Sequence, residues 1–162
     1  MAPNEEELKT LAEHLIEEQS TMTLATAGPQ GPWAAPIYYT FLKSAFYFFS
    51  SHSSRHIEES LESRQASAAI FAQASSWQDI RGLQMSGVVK AVSIGPTALK
   101  AVRSYLRKFP FAKEFFESGD LIDPDAFSKR FRVRLYRFKP HLVYYLDNSI
   151  KFGFRERVHF QD

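Results

Sequence analysis

Two hydrophobic periods alternate along this chain, and the switches between them predict its elements. Leu8, Leu11, Leu15 and Ile16 recur at helical spacing, and Asn4 with Glu7 has the pattern of a capping box. A helix is therefore predicted over 5–19. Thr21 to Ala27 alternates polar and apolar residues, as a half-buried strand does. Gly28 to Pro32 is a turn signal, Trp33 to Phe41 a second strand, and Lys43-Ser44 a tight turn into a third, Ala45 to Ser50. These three are expected to pair as an antiparallel meander. Pro36 lies inside the second strand, where it cannot donate to a ladder. It marks an edge, a bulge, or a place where something other than a strand faces the backbone.

Beyond the meander, Arg55 to Glu62 reads as helix and Ser67 to Ala72 as strand. Arg81 to Ser93 reads as a long strand, and Gly87 in its middle suggests a bend or bulge. Gly95-Pro96 opens a helix with Pro at its first position, and Leu99, Val102, Leu106 and Phe109 supply its apolar stripe. Phe111 to Glu117 continues as a short helix ended by Gly119, and Asp123-Pro124 starts another helical turn. Phe131 to Lys139 and His141 to Asp147 read as two strands broken at Pro140, followed by a basic, aromatic tail. No repeat or linker is visible. The expectation is one mainly β domain over 1–162, with helices added: an N-terminal helix at 5–19, a sheet over 21–93 and 131–147, and a helical insertion at 96–118. Consecutive short strands of this kind close into a barrel or a sandwich.

Composition narrows the classes. A chain of 162 residues, 44% hydrophobic and with 15 Phe, can bury a substantial core. The net charge of +2 is too balanced to argue for nucleic-acid binding. The absence of cysteine excludes disulfides, thiolate metal sites and cysteine nucleophiles. The acidic start, Met1 to Glu7, has no apolar signal core, and no apolar run is long enough for a bilayer, so a cytoplasmic protein without a membrane partner is expected.

Candidate chemistry concentrates where the aromatic strand Ala45 to Phe49 runs into a hydroxyl-rich loop, Ser50, Ser51, Ser53 and Ser54, closing on Arg55 and His56 at a helix start. Unpaired backbone N–H groups and the dipole at a helix N-terminus favour an anion, and Arg55 could add a two-pronged contact to phosphate oxygens. Equally, Ser54 could simply cap a surface helix with Arg55 solvated. His52 and His56 are four apart but have no clear metal partners beyond Glu58 or Glu59. Neither a nucleophile elbow nor a Walker or dinucleotide-binding loop is present. Lys100, Arg103, Arg107 and Lys108 form a basic stripe that could meet RNA but reads more simply as a solvated face.

The order of these motifs resembles the FMN-binding split barrel of the pyridoxamine 5′-phosphate oxidase-like superfamily. The carrying segments are Phe49-Ser50-Ser51 with Ser54-Arg55-His56, the strand Ala34 to Tyr39, and Ser86-Gly87-Val88-Val89-Lys90-Ala91. Ile80-Arg81-Gly82-Leu83-Gln84, Arg107-Lys108-Phe109-Pro110, Tyr145-Leu146-Asp147-Asn148 and Phe152-Gly153-Phe154 are similar to a narrower branch, the small YhbP-like proteins. The resemblance implies a six-stranded antiparallel split β-barrel with flanking helices, and a homodimer with FMN at its interface. It places the phosphate at Ser50, Ser51, Ser54, Arg55 and His56, after Phe49. It lays Ala34, Ala35, Pro36, Ile37 and Tyr39 along the isoalloxazine, largely through backbone groups, and brings Gly82 and Gln84 near the ring. Trp77 could stack on a flavin. The implied function is FMN binding, with flavin-dependent oxidoreductase chemistry on a small molecule that no motif names. Alternatives are a non-catalytic flavin carrier or sensor, a haem- or other-ligand-binding barrel, and a dimeric scaffold with an empty site. The chain departs from the oxidase pattern in three places. His56 stands where the oxidase has lysine, Ala34 and Tyr39 stand where it has Arg and Lys, and its C-terminal substrate segment has no counterpart. Oxidation of pyridoxamine phosphate is therefore not expected.

Overall fold

The computed structural model describes residues 2–116, 129 and 132–160. Helix α1 (Glu5–Glu18) starts at the predicted capping box: the Asn4 side chain accepts from the Glu7 N–H at 3.0 Å, and Glu7 accepts from the Asn4 N–H at 2.8 Å. Strands β1 (Thr21–Gly28) and β2 (Gly31–Tyr38) form a hairpin. A three-residue strand, β3 (Thr40–Leu42), then turns through Lys43 and Ser44 into β4 (Ala45–Ser51). Both turn residues have positive φ, 48° and 56°, the pairing a tight type I′ hairpin needs. Next come α2 (Arg55–Ser63), β5 (Ala66–Phe71), β6 (Arg81–Ala91), α3 (Pro96–Lys108), β7 (Val133–Asp147) and β8 (Arg155–Arg157).

All pairings are antiparallel, in the order β2-β1-β5-β6-β7-β4-β3, with β8 added to β7. The sheet curls into a split half-barrel. Its two end strands, β2 and β3, are joined covalently through Tyr39 but do not pair. Three expectations need correction. The meander does not continue past β2, because β4 pairs with β3 and β7. Among the described residues the sheet has eight strands rather than six, since β3 and β8 are too short to show a period. Pro140 does not break the last strand. Ser86 pairs with Leu142 and Gly87 with Pro140, so His141 is an extra residue in a β-bulge that absorbs the proline. Gly87 permits this approach: a Cβ there would overlap the Lys139 carbonyl oxygen and lie 2.8 Å from the Pro140 Cα. The predicted ends Gly119 and Asp123-Pro124, and part of the 96–118 insertion, lie outside the described residues.

The barrel interior takes one residue of every two from each strand. Phe46, Phe48, Tyr136 and Phe138 are at most 1% exposed, and α1 and α2 close the interior with Leu15, Ile16 and Ile57. Burial of each such side chain is worth roughly 1.5–3 kcal/mol. A second cluster lies on the other face of β4 and β7, under α3, with Ala45, Tyr47, Leu135, Val102 and Leu106. Two of the short motifs late in the chain have structural roles. Asp147 is buried and accepts from the Tyr145 hydroxyl, the Ser149 N–H and the Ser149 hydroxyl. Asn148 ties this turn to the Trp77 carbonyl at 2.9 Å.

Candidate functional site

The start of α2 gathers hydroxyls and an imidazole. Ser50 Oγ lies 2.8 Å from His56 Nε2 and 3.0 Å from Ser54 Oγ, and Ser54 Oγ is 3.3 Å from His56 Nε2. Ser54 holds the N-cap position but does not cap: its hydroxyl donates back to the Ser51 carbonyl at 2.8 Å, and among the described residues no side chain accepts from the first helical N–H groups. The N–H groups of Arg55 and His56 therefore remain open to a ligand, at the positive end of a nine-residue helix. Burial pushes the His56 imidazole below its ordinary pKa, while the Glu59 carboxylate pulls it the other way.

Arg55 is not a free fork. Its Nε donates to Glu59 Oε1 at 2.6 Å, its Nη2 donates to the Gly31 carbonyl at 2.8 Å, and its guanidinium lies 4.8 Å from the Trp33 ring centre. Glu59 also accepts from the Thr26 hydroxyl at 2.6 Å. Bonds from Thr26 and Arg55 hold the Glu59 carboxyl below its usual range. This network pins α2 to the β1–β2 turn and neutralises much of the Arg55 charge. Nη1 is the group it leaves for a ligand. Thr26 and Trp33 carry no sequence signal of this role, and Glu59, which the sequence offers only as a metal partner, pairs with Arg55 at i,i+4 spacing instead.

The remaining candidates divide by face. Ala35 and Ile37 point into the core, and Tyr39 is wholly buried with its hydroxyl donating to the Ile16 carbonyl at 2.8 Å. Of these three, only backbone groups remain for a ligand. Phe49 packs edge-on against Tyr105 of α3, and Ser51 bonds Ser53 at 3.0 Å. Ala34 and Pro36 point to the outer face of β2, whose far side pairs with no described strand, so Pro36 does mark an edge. Gly82 and Gln84 share that outer face. One row of the sheet reads Pro36, Thr23, Ala69, Gln84 and Tyr144. Small residues pave the face at Ala25, Ser67 and Ser86, and a cavity of ≈ 360 Å³ opens above them. Arg155 rims it, donating to Gln84 Oε1 at 3.1 Å and lying 3.7 Å from the Tyr144 ring centre.

A single chain therefore presents two separate groups. On β7, Ser50 pairs with Arg134 but Gln84 with Tyr144, ten residues further along. At ~3.3 Å per residue that is on the order of 33 Å before curling. Trp77 belongs to neither group; it sits in a short 3₁₀ helix, its ring 5.6 Å from that of Phe152. Among the described residues no three His, Asp or Glu side chains converge on a metal site, and no helix is long and apolar enough to cross a membrane. Of the basic stripe, Lys108 turns inward to the Ile16 carbonyl at 3.1 Å, and burial lowers its pKa to about 8. Lys100, Arg103 and Arg107 are exposed.

The family model for pyridoxamine 5′-phosphate oxidase matches residues 8–146. The chain belongs to this family. No curated protein matches it. Among solved structures, a haem-binding protein from Mycobacterium smegmatis superposes with a TM-score of 0.70 at 18% identity, over 98% of this chain and 59% of that one. The chain thus spans little more than half of that relative's length. HutZ, the haem storage protein from Vibrio cholerae, gives 0.65 at 18% identity, over 83% of this chain and 90% of its own. An FAD-binding protein from Mesorhizobium loti gives 0.61 at 15% identity, over 83% and 90%. At these identities the likeness is one of fold. As a member of this family the chain has the split barrel, and a half-buried histidine and an internally paired arginine line the start of α2.

Proposed function

We propose that this protein binds FMN at the start of α2 as a homodimer and acts as a flavin-dependent oxidoreductase. The observation that carries the reading is the uncapped α2 N-terminus, where Ser50, Ser54 and His56 converge beside two open N–H groups. That donor set suits a phosphate monoester, which takes hydroxyl, imidazole and amide donors without requiring a full cation for each charge. The unpaired edge of β2 leads away from this point and offers backbone groups to a flat ring. The isoalloxazine would supply hydride or electron transfer when bound, and the protein's part is to hold and orient it. His56, Ser50 and Ser54 anchor the phosphate, and β2 aligns the ring.

A second copy accounts for the separation of the two groups. Gly82 and Gln84 lie far from Ser50 in one chain, but the outer face that carries them is paved with small residues and open over ≈ 360 Å³. A partner's α2 region placed against it would assemble all the candidates into one site. The two haem-binding neighbours supply the alternative, haem at the same interface. An absorbance spectrum of the purified protein separates the readings. A flavin band near ~450 nm that returns when FMN is added to stripped protein supports the proposal; a Soret band supports haem. Protein that binds neither refutes both.

A further inference from the structure

On the opposite side of β4 from Ser50, a cavity of ≈ 310 Å³ lies between the sheet and the start of α3. Helix α3 begins at Pro96 with Gly95 at its cap. It has no side-chain cap and no acid in its first turn, and the space beside Gly95 is empty to 4 Å. The first intrahelical bond is Leu99 N–H to the Gly95 carbonyl at 3.0 Å, so the Thr97 and Ala98 N–H groups have no helical acceptor. A bare helix start is ordinarily just hydrated. Two side chains here point further.

Tyr47 is 2% exposed and lines the cavity, yet its hydroxyl bonds to nothing described. Among the described residues no fully enclosed side-chain polar atom lacks a partner, so this hydroxyl keeps some exposure, and the cavity is a space that Tyr47 lines. A phenol held in a packed cluster with a bare O–H is set to donate to something that enters. Arg137 is directly opposite Tyr47 in the β4–β7 pairing and lines the same cavity. It makes no ion pair or hydrogen bond with a described residue. Its neighbour across β6 is Lys90, and no described lining residue is acidic. Ala91 and Val92 make one wall apolar, and the volume is at the small end, about 300 Å³, of small-molecule sites.

We propose that the start of α3 is a second anion site, which takes the phosphate group of a small phosphorylated metabolite between the Arg137 guanidinium, the Tyr47 hydroxyl and the Thr97 and Ala98 N–H groups. An arginine fork, a buried hydroxyl and a helix N-terminus converge there with no internal acceptor to satisfy them. The sheet separates this site from the start of α2, because Tyr47 and Ser50 project from opposite faces of β4.

The test is a titration of the full chain with inorganic phosphate and with glycerol 3-phosphate, followed through the Thr97 and Ala98 amide signals in ¹⁵N-correlated NMR, with chloride at equal ionic strength as control. Both ligands should give saturable shifts that chloride does not. Arg137→Gln should weaken phosphate at least ~tenfold and Tyr47→Phe by ~three- to tenfold. Tyr47→Phe removes one oxygen from a packed ring and keeps the test open if Arg137→Gln fails to fold. In folded Arg137→Gln, FMN titration should match the parent chain. The proposal is overturned if the two amides do not move up to ~20 mM phosphate, if chloride moves them equally, or if Tyr47→Phe leaves the titration unchanged. Loss of the shifts on His56→Gln instead would show that phosphate reports only the α2 site, which also overturns it.

Discussion

Replacing Gly87 by alanine tests the bulge that shapes the sheet. The added methyl would overlap the Lys139 carbonyl oxygen and lie 2.8 Å from both the Pro140 Cα and the Phe138 ring. Two of these three obstacles are backbone, which cannot rotate away. β6 and β7 would have to separate where the bulge holds them. Overpacking of this kind costs typically 1–3 kcal/mol, and the backbone clash puts Gly87→Ala at the upper end, about 3 kcal/mol. For a chain of this length that lowers the melting temperature by ~6–12 °C. Gly82→Ala meets one backbone atom, the Ile70 carbonyl at 2.8 Å, and should cost less. Gly153→Ala meets nothing within 4 Å but sits at φ +72°, so about 1 kcal/mol of backbone strain is its whole effect. Urea denaturation of the three variants, read by tryptophan fluorescence, should give that order. A Gly87→Ala midpoint within experimental error of the Gly153→Ala midpoint would refute the bulge account.

Four further outcomes follow from the titratable groups and the Arg55 network. The His56 pKa is depressed below 6.5 in the folded chain, so below ~6.5 the unfolded chain takes up the proton first and stability falls with pH. His56→Gln should flatten urea midpoints between pH ~7.5 and ~5.5, and an unchanged slope would exclude His56 as the cause. Bound phosphate favours protonated His56, so FMN affinity should rise as pH falls from ~8 to ~6; pH-independent affinity counts against an imidazole contact. Lys108, depressed from 10.5 to about 8, costs the folded state stability as pH falls from 10.5 to 8 and no more below that. After reductive ¹³C-methylation, one lysine signal should titrate near 8, and Lys108→Met should remove it. Glu59→Gln removes the charge that pairs with Arg55, so FMN should bind more tightly; unchanged or weaker binding would show that Arg55 does not face the phosphate.

What was legible in the sequence was local. The Asn4–Glu7 box, the Gly95-Pro96 start and the Lys43-Ser44 turn each rest on side chains that act on backbone a few residues away, so their chemistry survives in one dimension. Gly87 signals the bulge in the sequence, but Pro140 looks like a break there because its pairing partner lies 53 positions earlier in the chain. The β4–β7 pairing, which replaces the expected meander, joins segments about 90 residues apart and leaves no periodic trace. At the candidate site, Ser50, Ser54 and His56 come together as their spacing suggested. The pairing of Arg55 with Glu59 and Gly31 was hidden because it depends on where the β1–β2 turn lands against α2.

The most direct test of the central claim is a comparison of FMN and riboflavin binding to the stripped full chain by quenching of flavin fluorescence. The two ligands share the ring and differ by the phosphate that the α2 start is proposed to hold. FMN should saturate at one per chain, and riboflavin should bind on the order of 100-fold more weakly, the loss of a set of charge-assisted hydrogen bonds. Equal affinities, or no quenching by FMN, would contradict the account.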